Sequence, residues 1–119
     1  MNKKSKIFVA GHNGMVGSAI IRQLQSNGYE NIVTRNRDKL DLVDQNQVRN
    51  FLFHEKPDVV IDCAAKVGGI HSNNTYRADF IYENLQIQNN LIHFSHLNDV
   101  KKLLFLGSSC IYPKFADQP

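Results

Sequence analysis

Short, nearly continuous apolar runs recur along this chain, and longer mixed segments separate them. Four of the runs are rich in branched apolar side chains and too short for helices, which predicts β-strands at positions 7–10, 31–34, 59–61 and 103–106. Strands that are apolar throughout are typical of a parallel sheet that helices cover on both faces. The pattern therefore predicts a buried parallel sheet of four strands.

Longer stretches with apolar residues at helical spacing lie between the strands. The first predicts a helix over 15–26. A second helix begins after Asp44, whose side chain suits an N-cap, and stops before Pro57. The third and longest, over 78–97, is apolar on more than one side, which indicates burial within the protein or at an interface. The segment 68–75 is expected to be a loop.

The alternation of strands and helices predicts an α/β fold, a Rossmann-type parallel sheet with right-handed connections and helices on both faces. We expect residues 1–119 to form one domain. A strand order of 3-2-1-4 is expected, which places the fourth strand at an edge where further strands normally pair. In this interpretation the fold is truncated after its fourth strand and lacks a substrate domain.

Composition narrows the class of protein. The 119 residues are 42% apolar and 21% charged with a net charge of +3, as in ordinary soluble domains. Basic residues are scattered apart from positions 3–6, so we expect no nucleic-acid partner. No apolar run approaches the ~18–20 residues of a membrane helix, and Cys63 and Cys110 have neither a disulfide framework nor a metal-ligand spacing. These features predict a cytoplasmic protein with no membrane partner and no metal site.

Three glycines mark the turn between the first strand and the first helix. This context is the one in which a glycine-rich turn binds a pyrophosphate. Gly11 allows a tight turn, Gly14 lets the backbone approach the ligand, and Gly17 lets the helix pack closely. Unpaired N–H groups at the start of the helix attract the anion. The spacing G-x-x-G-x-x-G differs from the commonest fingerprint, but its position predicts a dinucleotide site.

The residues after the second strand indicate which dinucleotide binds. An acidic residue there would bind the ribose 2′-hydroxyl of NAD. This chain instead has Arg35 and Arg37, and a guanidinium pairs well with a phosphate. We therefore predict NADP as the cofactor, the alternative being that the arginines lie on a solvated turn.

A second polar turn, Ser108-Ser109-Cys110, follows the fourth strand. Ligands of open parallel sheets bind outside the carboxyl ends of the strands, so we expect this turn at the same edge as the glycine turn. A serine hydroxyl there can donate to a substrate carbonyl, and a thiol with a suitable pKa can exchange a proton. The alternative is structural: a polar strand end and a small buried cysteine, an interpretation that also suits Cys63.

Five segments of the chain closely resemble the GDP-L-fucose synthase family, and they are 11–19, 64–70, 73–76, 78–82 and 103–113. The family comprises NADPH-dependent GDP-4-keto-6-deoxy-D-mannose 3,5-epimerase-4-reductases, which are extended short-chain dehydrogenases/reductases. The resemblance runs through nearly the whole chain. It implies an NADP-binding Rossmann domain over residues 1–119, a GDP-sugar substrate, and a homodimer for the full-length enzyme.

The resemblance also implies a role for individual residues. Ser108 corresponds to the serine that polarises the 4-keto group, and Cys110 to the cysteine that exchanges protons at C3 and C5 during epimerisation. The residues that correspond to the pyrophosphate loop are Gly11, His12, Asn13, Gly14, Met15, Val16 and Gly17. The other cofactor residues are Arg37 at the 2′-phosphate, Asp41 and Leu42 near the adenine, Ala64 and Ala65 at the nicotinamide ribose, and Leu106, Gly107, Ser108 and Ser109 beside the nicotinamide. Asn13 departs from the arginine expected in some relatives.

The Tyr-x-x-x-Lys pair of the superfamily is missing from this sequence. The residues four positions after its tyrosines are Val33, Phe80, Gln86 and Ala116. We therefore expect an N-terminal cofactor-binding part that does not turn over by itself. One alternative is a non-catalytic nucleotide-binding module or an inert remnant. Another is an epimerase of the same superfamily with tightly held NAD, against which Arg35, Arg37 and Cys110 argue.

Overall fold

The computed structural model describes residues 2–108, 111–113 and 115–117. In this part the strands are β1 Ile7–Ala10, β2 Ile32–Val33, β3 Val59–Asp62 and β4 Lys102–Phe105. The helices are α1 Met15–Ser26, α2 Gln45–Glu55, α3 Ile70–Thr75 and α4 Arg77–Leu97. The predicted α/β fold with a parallel sheet is confirmed, and so are both ends of β1 and α1.

The start of α2 follows the predicted capping. The Asp44 carboxylate accepts hydrogen bonds from the backbone N–H groups of Asn46 at 2.8 Å and Gln47 at 3.0 Å. These bonds favour the ionised form, led by the one from Gln47, so the pKa of Asp44 lies below its usual value. At the other end Lys56 takes a left-handed conformation before Pro57.

The expectation of a loop at 68–75 is wrong, because Ile70–Thr75 forms the short helix α3. Asparagine and threonine have low helix propensity because their side chains compete for backbone groups. In α3 these side chains bond to carbonyl groups of the same segment and do not disrupt the helix. The Asn73 side chain donates to the Gly68 and Gly69 carbonyls, and the Thr75 hydroxyl donates to the His71 carbonyl.

The strand order is β2-β1-β3-β4, so the expected order of 3-2-1-4 is wrong. All three pairings are parallel, with Phe8 opposite both Val33 and Val60. Helix α1 packs on one face of the sheet, whereas α2 and α4 pack together on the other. Right-handed connections produce this arrangement when the chain moves outward from β1 to β2 and then back past β1 to β3. The fourth strand is at an edge, as expected.

Two apolar layers enclose the centre of the sheet. Phe8 and Val60 face α2 and α4, where they meet Leu52 and Leu91. Their neighbours along the strands point to the other face, against the apolar side of α1. Because β1 and β3 are fully buried on both faces, their carboxyl ends are held firmly.

Candidate functional site

A cavity of about 540 Å³ opens at the carboxyl ends of β1 and β3. Its walls come from four segments: the turn that leads into α1, the loop after β2, the loop after β3, and α4. In an open parallel sheet this edge is where ligands bind.

The glycine turn forms the floor of the cavity and tolerates no side chain at two of its glycines. Gly11 has φ +74°, and a Cβ there would lie 2.7 Å from the carbonyl carbon and oxygen of Cys63. A Cβ at Gly17 would lie 2.2 Å from the Gly11 carbonyl oxygen. These contacts are with backbone, which cannot move aside, so the tight turn and the close approach of α1 both require glycine.

The first turn of α1 faces the cavity. Gly14 precedes the helix and supplies no side-chain cap to its N–H groups, and Gly14, Met15 and Val16 all line the cavity. Uncapped N–H groups and the partial positive charge of a helix start together attract an anion.

Asn13 links this turn to the next segment. Its side-chain amide donates to the Asn36 side-chain oxygen at 2.9 Å. The bond connects the glycine turn to the loop after β2, and so connects two walls of the cavity. His12 and Asn13 both line the cavity.

The two arginines after β2 line the cavity but have different partners. Arg35 Nη2 lies 2.5 Å from Glu55 Oε1 on α2, and its guanidinium stands over the Phe51 ring at 5.3 Å. Arg37 is 76% exposed, and its Nη2 lies 3.8 Å from Glu83 Oε2 on α4. Arg37 is therefore the arginine that is free to rotate toward a ligand.

The segment after Arg37 continues along the same wall. Asp41 and Leu42 line the cavity. The Asp41 carboxylate accepts a hydrogen bond from the Val43 N–H at 3.0 Å, which fixes the turn that precedes α2. Asn90 on α4 donates to the Leu42 carbonyl at 2.8 Å, so this wall is attached to the core.

β3 ends in a buried carboxyl group beside the cavity. Asp62 is 2% exposed, and its Oδ1 accepts a hydrogen bond from the Ala64 N–H at 3.0 Å, while its Oδ2 has no partner among the described residues. Burial raises the pKa of Asp62 to about 6. Burial, with a smaller contribution from the Asp62 charge, also raises the pKa of the Cys63 thiol, which therefore stays protonated at neutral pH. Ala64 and Ala65 follow on the cavity wall.

The loop after β3 is attached to α4 at Lys66. The Lys66 N–H donates to the Asn84 side-chain oxygen at 2.8 Å, and the Asn84 amide donates back to the Lys66 carbonyl at 3.1 Å. The Lys66 ammonium lies 2.5 Å from Glu83 Oε1 and 5.5 Å from the centre of the Phe80 ring. These contacts hold the wall that carries Ala64 and Ala65 against α4.

The first residues after β4 lie at the same edge of the sheet but apart from this cavity. Leu106, Gly107 and Ser108 are exposed and do not line it. Ser109 and Cys110 lie outside the described residues. The roles assigned to this turn therefore stay predictions.

The structure brings together in one cavity most of the residues assigned to the cofactor from the sequence. Gly17 is buried beneath the turn, and the remaining members of that set from residues 11–65 line the wall. The lining residues that the sequence analysis gave no cofactor role include Asn36, Lys66 and Glu83. Lys66 lies inside a segment of family resemblance, which is a signal for it, whereas Glu83 lies in a helix whose pattern indicates only burial.

The described residues contain neither a candidate metal cluster nor a candidate membrane-spanning helix. No cluster of three or more histidine, cysteine, aspartate or glutamate side chains in them could hold a metal ion. No helix within them is long and apolar enough to cross a membrane.

The fold and this cavity define a class of protein. The profile of the NAD dependent epimerase/dehydratase family matches residues 7–119, and the chain belongs to that family. It is 63% identical over its whole length to the putative GDP-L-fucose synthase 2 of Arabidopsis thaliana, and covers 36% of that relative. It is 60% identical over 116 residues, 98% of the chain, to the GDP-L-fucose synthase of Escherichia coli K12, and again covers 36% of it.

A solved structure agrees with these relatives in fold. The protein described as MlghC, GDP-mannoheptose C4 reductase from Campylobacter jejuni with NADP bound, superposes with a TM-score of 0.94 at 50% identity. The superposition covers 100% of this chain and 38% of that one. The chain thus spans little more than a third of the length of its relatives.

Proposed function

We propose that this chain is the cofactor-binding part of an NADPH-dependent epimerase/reductase that converts GDP-4-keto-6-deoxy-D-mannose to GDP-L-fucose. The observation that carries the proposal is the cavity in which the glycine turn, the open start of α1 and Arg37 meet. The identity of 60–63% with GDP-L-fucose synthases, over nearly all of the chain, supports the choice of substrate.

NADP suits the chemistry of the cavity walls. The backbone at Gly14 and the N–H groups of α1 would bind the pyrophosphate, and Arg37 would pair with the 2′-phosphate. Asp41 and Leu42 would border the adenine, and Ala64 and Ala65 the nicotinamide ribose. When bound, NADPH supplies the hydride that reduces the keto group at C4.

Two residues after β4 would act on the sugar. Ser108 would donate its hydroxyl proton in a hydrogen bond to the 4-keto oxygen, which stabilises the charge that develops there. The Cys110 thiol would exchange protons at C3 and C5, the positions that epimerise. The absence of Tyr-x-x-x-Lys from this sequence leads us to expect no turnover from residues 1–119 alone.

The proposal includes a homodimer in the cytoplasm. Helix α4 exposes large apolar side chains, among them Ile81 at 61% and Tyr82 at 59%. Ile81 and Leu85 lie one turn apart on this helix and border one groove, and a contiguous apolar patch marks a surface that another protein surface covers. The cytoplasmic location rests on the composition and on the absence of a disulfide framework from the sequence.

The test uses the protein at its full natural length. Loss of NADPH absorbance with GDP-4-keto-6-deoxy-D-mannose, and GDP-L-fucose as the product, is the expected result. Replacement of Cys110 by alanine should abolish deuterium exchange at C3 and C5 and leave the Kd for NADPH within about twofold, since the thiol acts on the sugar. Unchanged exchange in that variant would remove the thiol from the mechanism. Binding of NADPH without turnover of any keto-sugar would favour the non-catalytic nucleotide-binding module.

A second substrate class is favoured by the likeness to MlghC, which is described as a GDP-mannoheptose C4 reductase. A GDP-4-keto-heptose would need reduction at C4 by the same cofactor. A comparison of kcat/KM for the two GDP-sugars separates the alternatives, because specificity is the ratio of those constants. We expect the 6-deoxy sugar to be preferred.

A further inference from the structure

Three charged side chains from three different segments meet at the wall of the cavity. Arg37 follows β2, Lys66 follows β3, and Glu83 belongs to α4. Glu83 stands between the two cations, with Oε1 at 2.5 Å from the Lys66 ammonium and Oε2 at 3.8 Å from Arg37 Nη2. A carboxylate therefore lies beside the cation that the proposed function gives to a phosphate.

The two contacts of Glu83 differ in how firmly they are held. Lys66 is fixed through its backbone by Asn84 and rests beside the Phe80 ring, and its side chain is 31% exposed. Arg37 is 76% exposed and has the longer contact. An exposed pair of this kind is weak. Arg37 can therefore leave Glu83 while Lys66 keeps the carboxylate in place.

We infer that Glu83 is a specificity-determining residue that competes with the 2′-phosphate of the cofactor for Arg37. The inference rests on the proposed function. A guanidinium has several N–H donors, but a bidentate pair with the 2′-phosphate uses two of them on one edge and so orients the whole group. Turning Arg37 into that pair would move Nη2 away from Glu83, and the carboxylate would remain nearby as a like charge. Glu83 thus weakens binding of the phosphorylated cofactor and leaves binding of the unphosphorylated one unchanged.

Two fragments of the cofactor test this selectively in the protein at its full natural length. The ligand 2′,5′-ADP carries the 2′-phosphate, and 5′-AMP lacks it. Calorimetry gives the Kd of each for wild type, Glu83→Gln, Arg37→Gln and the double variant. Glutamine keeps the size of the side chain and an oxygen that accepts from Lys66. The matched control is Glu30→Gln, because Glu30 is an exposed carboxylate that does not line the cavity.

The expected result is a Kd for 2′,5′-ADP that falls about two- to fivefold in Glu83→Gln, which is the range for an exposed ion pair. The Kd for 5′-AMP should stay the same, and Glu30→Gln should change neither ligand. The gain should vanish when Arg37 is already glutamine, and it should shrink as salt is added, because exposed charges are screened.

Three outcomes would overturn the inference and leave the proposed function intact: equal tightening for both ligands, tightening that persists without Arg37, or no change in Glu83→Gln. The proposed function fails in a different way. If wild type binds neither fragment, or binds both equally well with and without Arg37, the phosphate site itself is absent and the inference falls with it.

Discussion

The two turns at the ligand-binding edge of the sheet are built differently. The turn after β1 follows a strand with no residue more than 2% exposed, and its glycines contact backbone on two sides. The turn after β4 follows an edge strand in which Leu104 is 45% and Phe105 is 42% exposed. A Cβ at Gly107 would meet nothing within 4 Å.

The difference follows from whether the residues that enclose a turn belong to the first βαβ unit and the strand beside it. β1, α1 and β2, with β3 on the other side, enclose the glycine turn with contacts that lie within residues 7–64. On β4, Leu104 faces the side of the sheet where α1 packs, but α1 covers β1 and β3. The turn after β1 is therefore tightly enclosed, whereas Leu104, Phe105 and Gly107 beside the turn after β4 lack such enclosure.

The strongest test of this comparison adds a single methyl group at each turn, through Gly17→Ala and Gly107→Ala. Gly17→Ala would place a Cβ 2.2 Å from the Gly11 carbonyl oxygen, so α1 must move away from the turn. We expect the free energy of unfolding to fall by roughly 4 kcal/mol or more, the range reached by severe backbone clashes, with loss of NADPH binding. Urea unfolding and calorimetry measure the two effects.

Gly107→Ala is the matched control for that clash. Its added methyl meets nothing within 4 Å, so the free energy of unfolding should change by less than about 0.5 kcal/mol. Equal losses in the two variants would show that the turn after β4 is packed as tightly as the turn after β1, and the comparison would be wrong.

A pair of leucine truncations gives the next largest effect. Leu52 is fully buried between the sheet and α4, and Leu52→Ala should lower the free energy of unfolding by about 3 kcal/mol because it leaves a cavity. Leu104→Ala, at a side chain 45% exposed, should cost less than about 1 kcal/mol. Urea unfolding of residues 1–119 with each substitution checks the ratio, and a cost at Leu104 close to that at Leu52 would contradict the exposure of β4 in this part of the protein.

The sequence predicts the local parts of this fold well. The end of β1 and the start of α1 follow from the change of period around Gly11, and the start of α2 follows from the Asp44 cap. The order of the strands does not follow, because any of these apolar runs could pair with any other. It is decided by distant packing: Val48 and Leu52 of α2 meet Leu91 of α4 on one face, which places β3 beside β1.

The candidate site likewise has residues that local sequence predicts and residues that it does not. The steric need for Gly11 and Gly17 was predictable, because a turn between strand and helix restricts both the backbone and the space around it. The position of Glu83 between Arg37 and Lys66 was not, because it depends on how α4 crosses two loops. Nothing in the local sequence of α4, which also carries Asp79, predicts which side chains Glu83 will contact.

The smallest of the three effects concerns Asp62. This residue ends β3, the strand that lies between β1 and β4. Its pKa in the folded protein is about 6, above the ordinary value of 3.8, because the carboxyl group is buried. The folded state therefore holds the proton more tightly between these two pH values, and stability contributed by this group falls as pH rises through that window. A pKa raised from 3.8 to about 6 corresponds to about 3 kcal/mol of lost stability at pH 8. Asp62→Asn, which resembles the protonated acid, should regain about 2 kcal/mol of it, because its amide would find no acceptor among the described residues where Oδ2 lies.

The pH dependence distinguishes this effect from a general change in packing. At pH 4 wild-type Asp62 is protonated, so Asp62→Asn and wild type should then differ by less than about 0.5 kcal/mol. Asp58 is a control with the opposite pH dependence. Hydrogen bonds from the Lys101 ammonium and from the Lys6 N–H lower the pKa of Asp58. Its contribution to stability is therefore present at pH values above the ordinary pKa and is lost as pH falls. Asp58→Asn should therefore destabilise the protein at pH 8. If urea unfolding gave Asp62→Asn the same gain at pH 4 and pH 8, the gain would come from packing, and β3 would carry no buried charge between the two turns.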